Sequence, residues 1–340
     1  MKYKLLGKSG LRVSELALGT MTFGEDWGWG ADKETSQRIF DAYANAGGNF
    51  IDTANRYTNG TSEKHVGEFM AADRDHFVLA TKYTLFDRQH DPNFSGNHRK
   101  NMMRSIEGSL KRLNTDHIDL FWVHAWDFMT PVEEVLRGLD DLVRAGKVLY
   151  VGISDTPAWV VSQANTIAEL RGWSRFVALQ IRYNLIDRTA ERDLLPMARA
   201  FDMAVTPWSV LSAGVLTGKY NQSQAVEGRM TQWGDIPERD LAIAAEVVKM
   251  AQEIGKTPSQ VALNWVRQQP GNIIPIVGAR KLAQIEDTLG ALDFTLTAEQ
   301  IARLNAVSQF ELGFPHDFLA SDGVRDVVFG GTYAQVDNHR

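Results

Sequence analysis

The sequence contains no cysteine, so neither a disulfide framework nor thiolate chemistry is available to it. It has no stretch of about 18 consecutive apolar residues and no apolar signal segment at its start, which predicts the absence of a membrane-spanning helix. It also lacks a long basic run, and 36 basic against 42 acidic residues give a net charge of −6. Nucleic acid and anionic membranes are therefore unexpected partners, and we predict a cytoplasmic protein.

Several catalytic motifs are missing as well. There is no Tyr-x-x-x-Lys pair of the kind that short-chain dehydrogenases use, and no His-Glu-x-x-His metal motif. Gly-x-Ser-x-Gly and the P-loop pattern are absent too. A metal-dependent mechanism is not expected from these residues.

The composition is that of an ordinary globular protein, with 44% hydrophobic and 23% charged residues among 340. An α/β barrel of more than about 250 residues often forms one domain. No Pro-, Gly- or Ser-rich linker interrupts the chain. We therefore predict a single domain over residues 1–340, in which residues 310–340 form a C-terminal tail.

Two short β-like runs, Tyr3–Leu6 and Leu11–Val13, predict an N-terminal hairpin around Gly7-Lys8-Ser9-Gly10. After it, short apolar runs alternate with longer amphipathic stretches. The apolar runs are Leu16–Thr20, Phe50–Thr53, Phe77–Thr81, Ile118–Val123, Val148–Ile153, Val177–Ile181, Ala204–Pro207 and Ile273–Val277. The helical stretches include Lys33–Ala46, Lys100–Leu113, Val132–Ala145, Ala158–Leu170, Arg192–Phe201 and Glu238–Gly255.

The first of these helices shows clear boundary signals. Asp32 is placed to cap its N-terminus, and Ile39, Phe40 and Tyr43 recur at helical spacing. Gly47-Gly48 ends the helix before the next strand.

Eight strands that alternate with helices predict an α/β fold, a (β/α)8 TIM barrel with long loops at its C-terminal mouth. The alternative is a doubly wound open sheet, which usually carries Gly-x-Gly-x-x-Gly after its first strand. The corresponding segment here, Gly19-Thr20-Met21-Thr22-Phe23-Gly24, does not fit that pattern. The barrel is therefore the predicted fold.

In such a barrel, polar residues at the C-terminal ends of the strands face the active site. Asp52, Lys82 and His124 each follow an apolar run directly, and Tyr57 lies five residues after Asp52. A buried charge is costly unless it is paired, so we expect these groups to converge. Any one of them alone could equally be a strand-end residue that meets solvent. The later strands end in Ser154-Asp155, Gln180, Trp208-Ser209 and Gly278-Ala279-Arg280.

The four converging residues have the chemistry of a proton donor to oxygen. A free tyrosine has a pKa of about 10, and a nearby ammonium such as that of Lys82 lowers this pKa. Asp52 can pair with Lys82, which leaves Tyr57 as a general acid. A neutral His124 can orient and polarise a carbonyl oxygen. The set contains no hydride source, so a reduction requires a cofactor.

At these residues the chain resembles the aldo-keto reductases, in particular the bacterial type related to potassium-channel β subunits. The resemblance covers nearly the whole length, and the matching segments occur in the family's order. They are Tyr3–Ser14, Leu18–Met21, Phe50–Tyr57, Gly152–Ser154, Leu179–Asn184, Leu216–Tyr220 and Ile274–Arg280.

The resemblance implies a metal-free reductase that binds NADPH extended across the barrel mouth, with Asp52, Tyr57, Lys82 and His124 as its catalytic tetrad. The implied cofactor-binding positions are Gly19, Thr20, Met21 and Asp52 near the nicotinamide, Ser154 and Gln180 at its carboxamide, Trp208 under its ring, Ser209, Leu211, Gly214 and Lys219 along the pyrophosphate, and Gly278, Arg280, Gln284, Asp287 and Thr288 at the adenosine end.

Arg280 also has a physical argument of its own. A 2′-phosphate needs a cation, and a guanidinium can contact it through two hydrogen bonds, which favours NADPH over NADH. The alternative for Arg280 is a solvent-exposed salt bridge. Three positions depart from the family pattern: Asp155 stands where asparagine often follows the serine, Thr288 where asparagine is common and Asp287 where glutamate is common.

Aromatic residues are frequent in the loops at the predicted mouth and could wall a pocket for a small carbonyl substrate. The alternative is that they pack the loops onto the barrel. The pocket residues that we expect are Trp27, Trp29, Phe86 and Trp126, and Phe128 and Trp233 lie in further loops.

Two other functions stay open at this stage. The chain could be a nicotinamide-binding regulatory or sensor subunit with slow reductase activity, or an aldolase that forms a Schiff base at Lys82. The tail from Phe310 to Arg340 either folds over the mouth or mediates contacts between subunits of a homo-oligomer.

Overall fold

A β-hairpin closes the N-terminal end of a parallel barrel in this computed structural model, which describes residues 1–221 and 235–337. Strands β1 (Tyr3–Leu5) and β2 (Arg12–Ser14) pair in antiparallel register. At the hairpin turn Gly7 has a φ of +55°, and a Cβ there would lie 2.2 Å from the carbonyl oxygen of Val177. Only glycine therefore lets the turn approach the bottom of the barrel so closely.

The barrel itself consists of eight parallel strands, and their order along the ring follows the chain. Two hydrogen bonds of 2.8 Å, from Val205 N to the carbonyl oxygen of Asn272 and from Ile274 N to that of Val205, join the last strands and close the ring. The predicted (β/α)8 barrel is confirmed. The strands are β3 (Ala17–Gly19), β4 (Phe50–Asp52), β5 (Val78–Tyr83), β6 (Ile118–Val123), β7 (Val148–Ser154), β8 (Phe176–Arg182), β9 (Ala204–Trp208) and β10 (Ile276–Val277).

Strand β10 is shorter than the predicted run Ile273–Val277. Ile273 makes only an isolated bridge to Val205, and Pro275 has no N–H to donate to a sheet. The proline thus divides the predicted strand into an isolated bridge and a two-residue strand.

Helices lie between consecutive strands. In α1, Oδ1 of Asp32 accepts a hydrogen bond of 2.7 Å from Thr35 N, and Ile39, Phe40 and Tyr43 are buried as predicted. The described residues contain twelve α-helices: α1 (Lys33–Asn45), α2 (Thr61–Met70), α3 (Arg99–Leu113), α4 (Val132–Arg144), α5 (Ala158–Arg171), α6 (Leu194–Ala200), α7 (Glu238–Glu253), α8 (Pro258–Arg267), α9 (Leu282–Leu289), α10 (Ala298–Val307), α11 (His316–Ala320) and α12 (Asp322–Phe329).

The predicted helix ends are accurate to within about two residues. The start of α6 moves from Arg192 to Leu194, because residues Thr189–Glu191 form a separate turn of 3₁₀-helix just before it.

The side chains that fill the barrel below its mouth form a core separate from the layer between strands and helices. Trp122 is fully buried there and faces Gly152 on the neighbouring strand. A Cβ on Gly152 would lie 2.4 Å from the Trp122 ring. The floor beneath the strand ends is therefore packed without spare room, which fixes the position of the residues above it.

The C-terminal tail contains α11 and α12, neither of which has a buried residue. Two residues of the tail contact the segment just before α6. The Phe310 ring centroid lies 5.5 Å from the guanidinium carbon of Arg192, and Nε2 of His316 lies 3.4 Å from Oδ1 of Asp193. These contacts fasten the tail beside α6. Whether it also covers the mouth or joins subunits stays a prediction.

No helix in the described part of the chain combines the length and apolar character that a membrane crossing requires. Trp233 and the last three residues of the tail lie outside the described residues.

Candidate active site

Three strand ends bring charged and polar side chains together at the C-terminal mouth. Asp52 is the last residue of β4, Lys82 lies near the end of β5, and His124 follows β6 directly. Nζ of Lys82 lies 2.5 Å from Oδ2 of Asp52, and both side chains are almost completely buried. The pairing that the sequence led us to expect is present.

Lys82 also connects this pair to Tyr57. Its ammonium donates to the Tyr57 hydroxyl at 3.2 Å and to the carbonyl oxygen of Thr53 at 2.9 Å. With Asp52, these acceptors occupy the three N–H donors of the ammonium. Lys82 is therefore held in one orientation, with Tyr57 at the open side of the barrel.

The pKa of Lys82 is raised above its usual value. Burial alone would lower this pKa, but the Asp52 carboxylate and Tyr57 act in the opposite direction and prevail. The side chain consequently carries its charge at neutral pH. A charged, ion-paired lysine is a poor nucleophile, which argues against the Schiff-base aldolase.

Tyr57 differs from the sequence-based expectation. Burial raises the pKa of its hydroxyl, and the nearby Lys82 ammonium offsets this only in part. The expected net lowering is therefore wrong, because the cost of taking a phenolate out of water outweighs its attraction to one cation. The Tyr57 hydroxyl thus keeps its proton at neutral pH and is able to donate it.

The His124 ring lies beside Tyr57, with ring centroids 5.8 Å apart and planes 82° to each other. Burial, supported by the positive charge of Lys82, holds the pKa of His124 well below its usual value. Its Nδ1 atom is buried and has no hydrogen-bond partner among the described residues. His124 is thus a neutral imidazole that can direct a polar atom at a ligand.

Gln180, on β8, reaches the same carboxylate from the far side of the barrel. Its Nε2 donates to Oδ1 of Asp52 at 3.0 Å. Ser154, at the end of β7, is buried and pairs in register with Gln180. The two residues expected at the nicotinamide carboxamide therefore lie next to each other, and Gln180 contacts Asp52.

Trp208 and Asp155 form a contact that the sequence did not suggest. Nε1 of Trp208 donates to Oδ1 of Asp155 at 3.1 Å. Asp155 has a φ of +40°, in the left-handed region. Burial raises the pKa of Asp155, and the hydrogen bond from Trp208 offsets this only in part. The carboxylate thus orients the indole ring by accepting its hydrogen bond.

The loop after β9 places a lysine beside a glycine. Ser209, Ser212, Ala213 and Gly214 all have positive φ values, which makes the backbone turn tightly. A Cβ on Gly214 would lie 3.2 Å from Cε of Lys219 and 3.5 Å from its Nζ. An ammonium next to an open backbone suits a phosphate group. Leu211, also expected here, is partly buried in the same loop.

The loop after β10 presents Arg280 to solvent, next to the exposed Gly278. Its backbone N–H donates to Oε1 of Gln284 at 2.8 Å. Within the described residues no carboxylate lies within ion-pair distance of Arg280, so the salt bridge considered as its alternative role is not seen. A guanidinium that no described carboxylate neutralises at this point fits the 2′-phosphate of an NADP cofactor.

Three of the expected cofactor residues have side chains that are engaged elsewhere. Asp287 accepts from Nε2 of Gln260 at 3.2 Å, and the buried Thr288 donates to the carbonyl oxygen of Gln284 at 2.7 Å. Thr20 is fully buried and donates to the carbonyl oxygen of Asp52 at 3.1 Å. Its partly exposed neighbours Gly19 and Met21 are left to line the mouth.

Three of the expected pocket aromatics come together, and two of them contact Arg56, a residue not predicted from the sequence. The rings of Trp27 and Trp29 are 5.7 Å apart. The guanidinium carbon of Arg56 lies 4.4 Å from the ring centroid of Phe86 and 5.6 Å from that of Trp27. Its place directly before Tyr57 in the sequence was the available signal.

Trp126 lies at a different part of the mouth. Its backbone N–H donates to the carbonyl oxygen of Asp155 at 3.5 Å, and its ring packs against the outer core. The predicted pocket is therefore divided, with Trp126 near Asp155 and the other three aromatics near Arg56.

Comparison with known proteins gives a consistent result. A model of the aldo/keto reductase family matches residues 15–309. A putative aryl-alcohol dehydrogenase of Saccharomyces cerevisiae is 38% identical over 94% of this chain and 90% of its own length. An NADP(+) aryl-alcohol dehydrogenase of Phanerodontia chrysosporium is 41% identical over 92% of this chain and 87% of its own length.

A norsolorinic acid reductase of Aspergillus flavus is 39% identical over 93% of this chain and 83% of its own length. These relatives are fungal. They therefore give no support to the narrower resemblance to bacterial proteins related to potassium-channel β subunits.

Proposed function

The chain belongs to the aldo/keto reductase family, and on that premise we propose that it reduces aldehydes and ketones to alcohols with NADPH, with Tyr57 as the proton donor. Nicotinamide-dependent interconversion of carbonyl compounds and alcohols is the family's reaction, and this chain is an oxidoreductase of that kind. The observation that carries the assignment of roles is the pair of hydrogen bonds from Lys82 to Asp52 and to Tyr57.

When bound, NADPH would supply the hydride for the carbonyl carbon. The chain's own residues handle the proton. As negative charge develops on the carbonyl oxygen, the Tyr57 hydroxyl transfers its proton to that oxygen. The Lys82 ammonium, 3.2 Å away, then stabilises the phenolate left on Tyr57.

Asp52 and His124 serve this proton transfer in different ways. Asp52 balances the charge of Lys82 and fixes its position, so that one N–H always points to Tyr57. His124 is uncharged because of its burial, so it can hold the carbonyl oxygen near Tyr57 without competing as a stronger acid.

We propose NADPH, not NADH, as the preferred cofactor. Arg280 would hold the 2′-phosphate and Lys219 the pyrophosphate, while Ser154, Gln180 and Trp208 would hold the nicotinamide. Two observations support this: no carboxylate of the described residues pairs with the Arg280 guanidinium, and Lys219 lies beside Gly214. So does the NADP(+) in the name of the Phanerodontia relative.

Aromatic aldehydes and ketones are the substrates that we propose. Trp27, Trp29 and Phe86 offer apolar faces near the tetrad. Two of the relatives carry the name aryl-alcohol dehydrogenase. A single domain over residues 1–340, a cytoplasmic location and a homo-oligomer stay predictions.

A panel of aromatic and aliphatic aldehydes and ketones, assayed in parallel with NADPH and NADH, tests the proposal. NADPH deuterated at the transferable ring position makes the assignment specific, because the alcohol must then carry the deuterium at the former carbonyl carbon. Labelled alcohol formed over many turnovers supports the reductase. Cofactor binding without repeated turnover on any carbonyl would favour the sensor subunit instead.

A further inference from the structure

Arg56 occupies a prepared position at the barrel mouth. It directly precedes Tyr57 in the loop after β4, while Trp27 and Phe86 come from the loops after the neighbouring strands β3 and β5. Its guanidinium carbon lies 4.4 Å from the Phe86 ring centroid and 5.6 Å from that of Trp27. Three separate loops thus meet at one cation beside the tetrad.

Asn59 connects this cation to Trp27 through hydrogen bonds. Its Oδ1 accepts hydrogen bonds from Nη1 of Arg56 and from Nε1 of Trp27, the latter at 3.3 Å. To reach them, Thr58 and Asn59 take positive φ values of 43° and 54°, a costly conformation for side-chain-bearing residues. The hydroxyl of Thr58 donates to the carbonyl oxygen of Phe23 at 2.6 Å and holds the turn. Strain of this kind persists where the surrounding structure enforces it, as at binding sites.

Three other arginines of the chain are paired with carboxylates, whereas Arg56 is not paired with any carboxylate among the described residues. Arg88 pairs with Asp91 at 3.4 Å, Arg104 with Asp87 at 2.8 Å and Arg182 with Asp187 at 2.7 Å. Within residues 1–221 and 235–337, no carboxylate lies within ion-pair distance of Arg56. The guanidinium is thus a partly buried cation without a counter-charge from the described protein.

The stacking geometry leaves N–H donors of the Arg56 guanidinium without acceptors among the described residues. Aromatic rings contact a guanidinium over its faces, whereas its five N–H donors lie in its plane. Of the described residues, only Asn59 accepts from these donors. An in-plane edge can therefore receive both oxygens of a carboxylate, the arrangement that makes arginine–carboxylate hydrogen bonds strong.

We propose that Arg56 determines substrate specificity by binding a carboxylate on the carbonyl substrate, so that the enzyme favours aromatic aldehydes bearing an acidic group. The proposal rests on the reductase function above and specifies its substrate class. The apolar part of the substrate lies against Trp27 and Phe86, and its carboxylate provides the counter-charge that no described residue provides.

The ortho, meta and para isomers of formylbenzoate, each compared with its methyl ester, test this directly. The ester keeps the ring and the aldehyde but removes the charge. A charge-assisted hydrogen-bonded pair corresponds to about 10- to 100-fold in binding, so we expect wild-type kcat/KM to favour at least one acid over its ester by about that factor. The difference should appear mainly in KM.

In Arg56→Met the ratio of kcat/KM for that acid to its ester should fall to about 1, and in Arg56→Lys to an intermediate value. Arg88→Met is the matched control, because Arg88 also lies in a mouth loop and stacks on an aromatic ring, 3.9 Å from Phe94, but is paired with Asp91. It should keep the wild-type ratio. Because acid and ester are compared in the same variant, any general effect of the substitution on the neighbouring Tyr57 cancels in the ratio.

Binding of the corresponding hydroxymethylbenzoate, followed by tryptophan fluorescence, separates the two proposals. Turnover of acid and ester with a ratio that Arg56→Met leaves unchanged overturns the role of Arg56 while the reductase stands. Arg56-dependent binding without turnover of any substrate overturns the reductase while the carboxylate site stands. A wild-type ratio near 1 together with Arg56-independent binding means that Arg56 only ties the loops together.

Discussion

Gln180 donates a hydrogen bond of 3.0 Å to Oδ1 of Asp52, the carboxylate whose other oxygen accepts from Lys82. Both side chains are buried, with 3% of Gln180 and 2% of Asp52 exposed. The residue expected to contact the cofactor therefore also completes the hydrogen bonding of the tetrad. Its remaining amide atoms can still serve a ligand.

Gln180→Met should lower the free energy of unfolding by about 1–3 kcal/mol, because it leaves one buried oxygen of Asp52 without its donor. Gln37→Met is a matched control, since Gln37 also donates to an aspartate, Asp41, but near the surface at 3.2 Å. Its effect should stay below about 0.5 kcal/mol. Urea denaturation measures the free energy of unfolding of both variants. If Gln180→Met lowers it as little as Gln37→Met does, the hydrogen bond from Gln180 does not stabilise the tetrad.

The low pKa of His124 makes a prediction about stability and pH. Its folded-state pKa lies well below the unfolded value of about 6.5, so the unfolded chain takes up this proton first as the pH falls. The contribution to stability is complete above about pH 6.5 and is lost as the pH falls below that value, by at most about 1.4 kcal/mol per pH unit.

His124→Gln should reduce this acid-side loss, which urea denaturation between about pH 7.5 and pH 5.5 measures. His90→Gln, at an exposed position in the loop after β5, is the control for replacing a histidine by glutamine. If His124→Gln and wild type lose the same free energy over this range, His124 is not held neutral by burial.

Arg280→Met should separate the two nicotinamide cofactors. The loss of a charge-assisted contact to the 2′-phosphate lowers kcat/KM for NADPH by about 10- to 100-fold. NADH lacks that phosphate, so its kcat/KM should change by less than about 3-fold and serves as the internal control. Steady-state kinetics with each cofactor decide the matter, and a parallel loss with both would assign Arg280 another role.

Gly152→Ala tests the packing of the barrel floor. The added Cβ would lie 2.4 Å from the buried Trp122 ring, so we expect a loss of about 1–3 kcal/mol in unfolding free energy. Gly10→Ala is the control, because nothing lies within 4 Å of a Cβ there. Thermal unfolding of the two variants compares them, and similar midpoints would mean that the floor can relax around Trp122.

Much of the barrel could be predicted because each strand carries its own signal. The run Ile118–Val123 was placed at its observed bounds, since buried parallel strands read as continuous apolar runs. The positions of Asp52 and Lys82 followed from the same rule, because strand ends meet at one edge of a barrel. Strand β10 was less predictable, since Pro275 interrupts its hydrogen bonding.

The cluster around Arg56 could not be predicted in this way. Trp27, Arg56 and Phe86 lie on three loops, and their meeting depends on the left-handed turn at Thr58 and Asn59. The direction of the pKa shift of Tyr57 could not be predicted from the sequence either. It depends on whether burial or the Lys82 charge is the larger effect, and only the three-dimensional surroundings decide that.

The most direct test of the central claim is the reaction of Tyr57→Phe with NADPH and an aromatic aldehyde, measured together with the dissociation constant of NADPH. If Tyr57 is the proton donor, NADPH oxidation should fall by at least about 100-fold while the dissociation constant changes by less than about 3-fold. Turnover close to the wild-type rate in Tyr57→Phe would contradict the account.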